Sequence, residues 1–207
     1  MKKTLMILAL AAAVATLATV TLSAAPASTG KTLDNLQAAF NGESNAHARY
    51  LAFAVKADQE GYGSVASLFR AAARAEEVHA GNHAAVIKSM GATPTADVKA
   101  PEVKSTKENL EAAIKGETYE RDTMYPEFIA VAKTERNKDA LKSFNEAKMA
   151  EGEHARLYTE ALTGLDGLKG KTQSYWVCTV CGYTVTKINF DKCPSCFNPI
   201  DKYVEVK

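Results

Sequence analysis

The stretch NLQAAFNGES (35–44) returns as NLEAAIKGET (109–118), 74 residues further on, and an internal copy of this kind means that one structural unit is built twice. Carried forward with one inserted residue, the copy superposes Glu76 on Glu151 and His79 on His154, whereas Glu77 falls on Gly152. The two units therefore share the segments AEEVHAG (75–81) and AEGEHAR (150–156), each with a glutamate three residues before a histidine. Positions i and i+3 of a helix lie on one face, so Glu76 with His79, and Glu151 with His154, can address a single point.

Four alanine-rich segments of apolar periodicity, roughly 33–60, 64–90, 106–133 and 137–163, carry the copies. Each is long for an average helix and suits a bundle. Gly61-Tyr62-Gly63 followed by Ser64 predicts a stop and a new N-cap, and Ser105-Thr106-Lys107-Glu108 reads as a capping box. The first two helices form one hairpin and the last two another. Between them the fifteen residues 91–105, with two prolines, suit one crossover along a bundle. Pro126 interrupts the third helix beside Tyr125 and is expected to bend it.

Each hairpin offers one glutamate on its first helix, Glu43 or Glu117, and a Glu-x-x-His pair on its second. Six such groups converging inside a four-helix bundle describe a carboxylate-bridged dimetal site. A lone Glu-x-x-His pair is ordinarily a solvated surface feature; two copies in register, each with Gly-Glu at a matching distance, do not read that way. The copies differ at Glu120, which stands where the first has Ala46 and adds a seventh candidate ligand. Four glutamates neutralise two ferrous ions, so a fifth carboxylate is costly in a low-dielectric site, whereas two ferric ions could use it. One metal is therefore expected to take Glu120 when oxidised and neutral His79 when reduced. His47 and His83 have no counterparts in the other copy and read as surface or core histidines rather than ligands.

All four cysteines, Cys178, Cys181, Cys193 and Cys196, fall within nineteen residues near the C-terminal end. Two Cys-x-x-Cys pairs separated by eleven residues have the spacing of a tetrahedral metal knuckle rather than of two disulfides. Four thiolates suit zinc and iron alike. A redox dimetal site needs electrons one at a time, which an iron-thiolate centre carries and zinc cannot, so iron is expected here. Aromatic and β-branched residues around the cysteines predict a small strand-and-turn module held by its metal, with Trp176, Tyr183 and Phe190 packed around it. The organisation is thus a bundle over 31–163, a linker over 164–174 that keeps the two cores apart, and a module over 175–207.

Ahead of the bundle, Lys2 and Lys3 precede LMILALAAAVATLATVTL, which runs into the small residues SAAPAS. This predicts a signal peptide over 1–27, cleaved after Ala27, and a periplasmic or otherwise exported mature chain with no stable membrane insertion. The apolar run is long enough that an uncleaved anchor is the alternative. A net charge of +1 lacks the basic excess that attracts phosphate backbones, so nucleic acid is not expected as a partner.

The mature chain resembles the rubrerythrins, mainly α proteins in which a ferritin-like four-helix bundle with a di-iron site is followed by a small β-rich rubredoxin-like domain. The family's ligand motifs fall on Gly42-Glu43, Glu76-x-x-His79, Gly116-Glu117-x-x-Glu120 and Glu151-x-x-His154, and its site tyrosines on Tyr50 and Tyr125. The Cys-Gly-Tyr and Cys-Pro-x-Cys turns are also similar to those of its rubredoxin domains. The resemblance implies that Tyr50 stands near ligands of the opposite hairpin and that Tyr125 hydrogen-bonds a ligand carboxylate; core tyrosines with satisfied hydroxyls are the alternative. It implies two irons in the bundle, one in the four-cysteine site, and a catalytic set of Glu43, Glu76, Glu117, Glu120, Glu151, Tyr50 and Tyr125. The implied activity is a non-haem peroxidase reducing hydrogen peroxide to water, with electrons from a donor protein or reductase passing through the rubredoxin-like iron. A head-to-tail homodimer is implied as well. The alternatives are a ferroxidase or iron-storage protein, and a non-catalytic metal-binding module with a zinc ribbon.

Overall fold

The structure is a computed structural model that describes residues 30–207, so the predicted signal peptide at 1–27 lies outside the described residues. Helices α1 (Lys31–Gln59) and α2 (Gly63–Ser89) form the first hairpin. The second is built from α3 (Thr106–Tyr119), a π-helical turn at Glu120–Met124, α4 (Tyr125–Thr134) and α5 (Lys138–Thr163). α5 packs on both α2 and α3, closing a four-helix bundle. Among the described residues no helix is long and apolar enough to cross a membrane.

The π turn is the extra residue of the second copy. The offset between copies is 74 at Ala46 and Glu120 but 75 at Tyr50 and Tyr125, so the insertion falls between those positions. A helix absorbs one added residue by widening a single turn to i→i+5 bonding. Here the Tyr125 N–H donates to the Glu120 carbonyl accordingly. Pro126 follows at once in α4, so the helix widens to i→i+5 bonding immediately before the one residue that has no N–H to give it.

Ser105 caps α3 through the reciprocal box with Glu108, and Gly61, at φ 81°, ends the first helix. Ser64 does not cap α2, which starts one residue earlier at Gly63, behind Tyr62. The reason is that the Ser64 N–H is met by the Lys171 carbonyl at 2.9 Å. The linker supplies the acceptor that a capping side chain would otherwise provide.

Residues 92–105 cross the bundle without regular structure, fastened to α1 by a ladder of side-chain amides. Gln37 donates to the Thr93 carbonyl at 2.8 Å and accepts from the Thr95 N–H at 3.2 Å. Asn41 accepts from the Asp97 N–H at 2.7 Å. Asn45 donates to the Asp97 carbonyl at 3.1 Å and accepts from the Lys99 N–H at 2.9 Å. Gln37, Asn41 and Asn45 are spaced four apart, so one helix face plays the part of a neighbouring strand.

At the C-terminal end β1 (Tyr175–Cys178), β2 (Thr184–Val185) and β3 (Tyr203–Val206) form an antiparallel sheet in the order β2-β1-β3. The two cores are not kept apart by the linker. Alternation along β1 sends Tyr175 and Val177 into the bundle core beside Phe69, Leu157 and Tyr158. Cys178 instead packs with Cys181, Cys193, Val185 and Tyr203, with Trp176, Tyr183 and Phe190 around them.

Candidate metal centres

Inside the bundle Glu43 of α1, Glu76 and His79 of α2, Glu117 of α3, and Glu151 and His154 of α5 meet, all buried. Ligand atoms of Glu43, Glu76, His79 and Glu151 lie within 4.8 Å of one another, as do those of Glu76, Glu117, Glu151 and His154. Glu76 and Glu151 belong to both groups, the geometry of two metal positions joined by bridging carboxylates. The His79 Nδ1 is 2.9 Å from Glu76 Oε2 and 3.0 Å from Glu151 Oε1, and the His154 Nδ1 is 2.9 Å from Glu151 Oε2. Glu120, on the π turn, is half-buried and belongs to neither group. His79, and not Glu120, stands with the ligand atoms of the first group.

The electrostatics call for cations. Burial, followed by repulsion from Glu151, Glu43 and Glu117, pushes the Glu76 carboxyl well above its ordinary range. Burial does the same to Glu151, where the nearby His79 opposes it, and to Glu120. At Glu43 burial also acts upward, but His83, His79 and the Tyr125 hydroxyl outweigh it and hold the carboxyl at about 2. Glu43 Oε2, Glu76 Oε1, Glu117 Oε2, Glu151 Oε2 and His154 Nδ1 are buried without a hydrogen-bond partner. Buried polar atoms are rarely orphaned, and five aimed at one space fit metal cations.

Both histidines present the correct nitrogen. A carbonyl only accepts, so His79 Nε2–H donates to the Cys181 carbonyl at 3.1 Å and the Nδ1 lone pair is left facing the carboxylates. The Thr184 hydroxyl donates to the Gly182 carbonyl, so it accepts from His154 Nε2–H at 3.0 Å, and His154 Nδ1 is likewise free for a metal.

Each site tyrosine crosses to the opposite hairpin. Tyr50 donates to Glu117 Oε1 at 2.6 Å, and Tyr125 donates to Glu43 Oε1. Both phenols are fully buried, which raises their proton affinity well above that of free tyrosine. His47 lies apart from both ligand groups, with Nδ1 2.7 Å from the Ala73 carbonyl. His83 is buried behind Tyr125 and binds its hydroxyl. The sequence reads His83 as a surface or core histidine, and the structure places it in the core; its lack of a counterpart in the other copy is the one signal in the sequence that sets it apart.

In the C-terminal module the four cysteines are free thiols whose sulfurs pair at 3.7 Å (Cys178, Cys196) and 3.6 Å (Cys181, Cys193). A disulfide needs about 2 Å. Tetrahedral bonds of about 2.3 Å put sulfurs roughly 3.8 Å apart, so the spacing fits one metal ion. The Tyr203 hydroxyl at 3.2 Å and the Asn198 amide at 3.3 Å donate to the sulfurs of Cys193 and Cys196. The cysteine loop is pressed onto the bundle centre: besides Cys181 on His79, the Val180 carbonyl accepts from Asn82 at 2.9 Å. Gly182 is in the left-handed region at φ 76°, and a Cβ there would meet His79 Nε2 at 2.3 Å.

Comparison with known proteins agrees with this geometry. The sequence profile of the family described as Rubrerythrin matches residues 34–162. Nigerythrin of Nitratidesulfovibrio vulgaris is 41% identical over 177 residues, covering 84% of this chain and 86% of that protein. Rubrerythrin of Porphyromonas gingivalis is 36% identical over 173 residues, covering 82% and 86%. A solved structure described as the fully reduced, all-ferrous state of nigerythrin superposes with a TM-score of 0.78 at 38% identity, over 92% of this chain and 98% of that one. A Desulfovibrio desulfuricans bacterioferritin, with a TM-score of 0.63 at 22% identity over 69% of this chain and 88% of that one, shares the fold of the bundle. With a profile match over more than half of its length and such relatives over most of it, the chain belongs to the rubrerythrin family, a ferritin-like bundle joined to a rubredoxin-like domain.

Proposed function

We propose that this protein is a non-haem di-iron peroxidase that reduces hydrogen peroxide to water, fed with electrons through iron held by Cys178, Cys181, Cys193 and Cys196. The observation that carries the reading is His79, whose Nδ1 faces the bundle carboxylates while its Nε2–H bonds the carbonyl of Cys181. One imidazole thus joins the two centres. A ferroxidase or iron store would use the same carboxylates but give this contact no task, and a zinc ribbon would carry no electrons.

When bound, two ferrous ions supply the two electrons and the Lewis acidity that cleavage of peroxide needs, and a thiolate-bound iron restores the electrons singly. The chain's own part is preorganisation. Tyr50 and Tyr125 each hold one oxygen of Glu117 and Glu43, leaving Glu117 Oε2 and Glu43 Oε2 without hydrogen bonds and available for coordination. Glu120 is the proposed alternate to His79, turning inward when the site is oxidised and needs anionic charge. Its place on a π turn supports this, because such turns occur frequently at functional sites.

We further propose that residues 1–27 direct export, with cleavage after Ala27, and that the mature chain works as a head-to-tail homodimer supplied by a donor protein or reductase. The test is metal analysis followed by anaerobic reduction and one equivalent of peroxide. About three irons per chain and a returning ferric-thiolate band are expected. One zinc without iron, or no return of the band, overturns the reading.

A further inference from the structure

Reduction of one hydrogen peroxide to two waters consumes two protons, and the six ligands that meet inside the bundle are buried. A chain of hydrogen bonds reaches one of these ligands from the surface. Ser143 Oγ lies 2.7 Å from His83 Nδ1, His83 Nε2 lies 3.0 Å from the Tyr125 hydroxyl, and Tyr125 binds Glu43. At the outer end Ser143 lines an open surface pocket of mixed lining, Ala85 and Val86 beside Asn82, Asp139, Lys142 and Glu146, whose polar groups can hold water.

The direction of each bond follows from the inner end. Glu43, as an ionised ligand, only accepts, so Tyr125 donates to it. The phenol oxygen then accepts from His83 Nε2–H, which leaves Nδ1 as a lone pair, and Ser143 must donate to that lone pair. All the hydrogens point inward.

The other half of the bundle provides an internal control. Tyr50 holds Glu117 as Tyr125 holds Glu43, but the residue in the place of His83 is Tyr158, and the one in the place of Ser143 is Leu68. The Tyr158 hydroxyl has no hydrogen-bond partner, and the rings of Phe69 and Tyr158 lie 5.2 Å apart beside Tyr50. Arg49 lies over the Tyr50 ring at 5.3 Å, but among the described residues no chain of hydrogen bonds runs outward from the Tyr50 hydroxyl as one does from Tyr125. Only one of two equivalent tyrosines is wired to solvent, so the wire is not a by-product of the fold.

We propose that Ser143 and His83 relay protons from solvent to the buried metal centre through Tyr125 and Glu43; the proposal rests on the peroxide-reducing reading. In one transfer Glu43 receives the Tyr125 proton, Tyr125 takes the one on His83 Nε2, Nδ1 takes the hydroxyl proton of Ser143, and Ser143 takes one from pocket water. Glu43 passes that proton to the departing oxygen in the same event, without resting protonated. The imidazole begins and ends neutral, with its proton moved from Nε2 to Nδ1, so one passage delivers one proton, and Nδ1 must lose its proton outward and Nε2 regain one before the relay can act again. His83 and Ser143 touch neither metal nor peroxide and act through Tyr125.

Two measurements test the relay. Long-range proton–nitrogen NMR on the full chain loaded with diamagnetic zinc should find the His83 proton on Nε2, with Nδ1 shifted by Ser143→Ala. A proton on Nδ1 would reverse the bonds and overturn the proposal. In single-turnover oxidation of the reduced, iron-loaded protein by peroxide, His83→Phe should be slower by roughly a hundredfold, the lower limit of proton-transfer contributions. Ser143→Ala should be slower by a smaller factor, with an enlarged solvent deuterium isotope effect, while Tyr158→Phe keeps the parent rate and isotope effect. Should His83→Phe fail to hold iron, Ser143→Ala and the tautomer decide. A parent protein inert to peroxide would defeat the functional reading, whereas a reactive parent matched in rate and isotope effect by both relay variants would defeat the relay alone.

Discussion

Replacing Gly182 with alanine separates electron delivery from peroxide chemistry. The new Cβ would stand 2.3 Å from His79 Nε2, 2.9 Å from Cδ2 and 3.1 Å from Cε1. Ordinary non-bonded separations are about 3.5–4.0 Å, so the cysteine loop must withdraw by roughly 1 Å or more. That movement breaks the 3.1 Å bond between His79 and the Cys181 carbonyl. A buried hydrogen bond lost in this way costs about 1–3 kcal/mol, which corresponds to a fall of about fivefold to 150-fold in the population with the two centres in contact. Alanine at φ 76° adds backbone strain of about 1–2 kcal/mol. Gly170→Ala isolates that strain, because Gly170 has φ 72° and nothing within 4 Å of an added Cβ. The assay is stopped-flow spectroscopy of the iron-loaded protein, following ferrous-thiolate oxidation after peroxide is added. Gly182→Ala should slow this handover by the factor above while direct oxidation of the reduced bundle proceeds within about twofold of the parent; Gly170→Ala should only lower Tm. Handover at the parent rate in Gly182→Ala would refute a route through His79 and Cys181.

Cys193→Ser should abolish donor-driven turnover, keep the helical content, and lower the bundle's Tm, because release of Val177 alone exposes a side chain whose burial is worth about 1.5–3 kcal/mol; calorimetry showing the parent Tm would mean that the shared core contributes nothing. Glu120→Ala should leave ferrous affinity near that of the parent but raise the di-iron reduction potential and slow turnover, whereas loss of ferrous binding in titrations would make Glu120 a permanent ligand. In the metal-free protein Glu76 and Glu151 stay protonated when folded and ionise on unfolding above about 4.5, so their contribution is complete below that pH and is lost as pH rises towards the folded values. Urea titrations across pH should show that decline without metal and not with it; a flat metal-free profile would show that these carboxyls are not held protonated.

The sequence made the bundle and the convergence of Glu43, Glu76, His79, Glu117, Glu151 and His154 readable because duplication converts chemistry into register. A ligand in one copy names its partner in the other. The Ser105 box was readable because a cap is local. What escaped depends on surfaces meeting across long separations in the chain. Ser64 has the composition of a cap, but Lys171, more than a hundred residues away, satisfies its N–H. The seating of Tyr175 and Val177 in the bundle core and of Cys181 on His79 is likewise a fit between distant surfaces. The π turn lies between these cases: the one-residue change of offset was visible, but only the backbone shows that it was absorbed beside Glu120. A solitary histidine reads as surface or core, and His83 is indeed core, but nothing local shows the hydrogen-bond partners that distant elements bring to both sides of its ring.

The amide ladder along α1 bears on how the molecule survives proteases. Fourteen residues without helix or strand, with exposed Lys99 and Lys104, would ordinarily be the first place trypsin cuts. Cleavage requires a segment to lift away and lie extended in the protease cleft. Here Asn45 holds the Lys99 N–H, and Asn109 binds both the N–H and the carbonyl of Lys104. Nicking after either lysine must wait until these amides let go together, so the crossover resists digestion until the helices that carry Asn45 and Asn109 loosen, and the first cut reports that loosening.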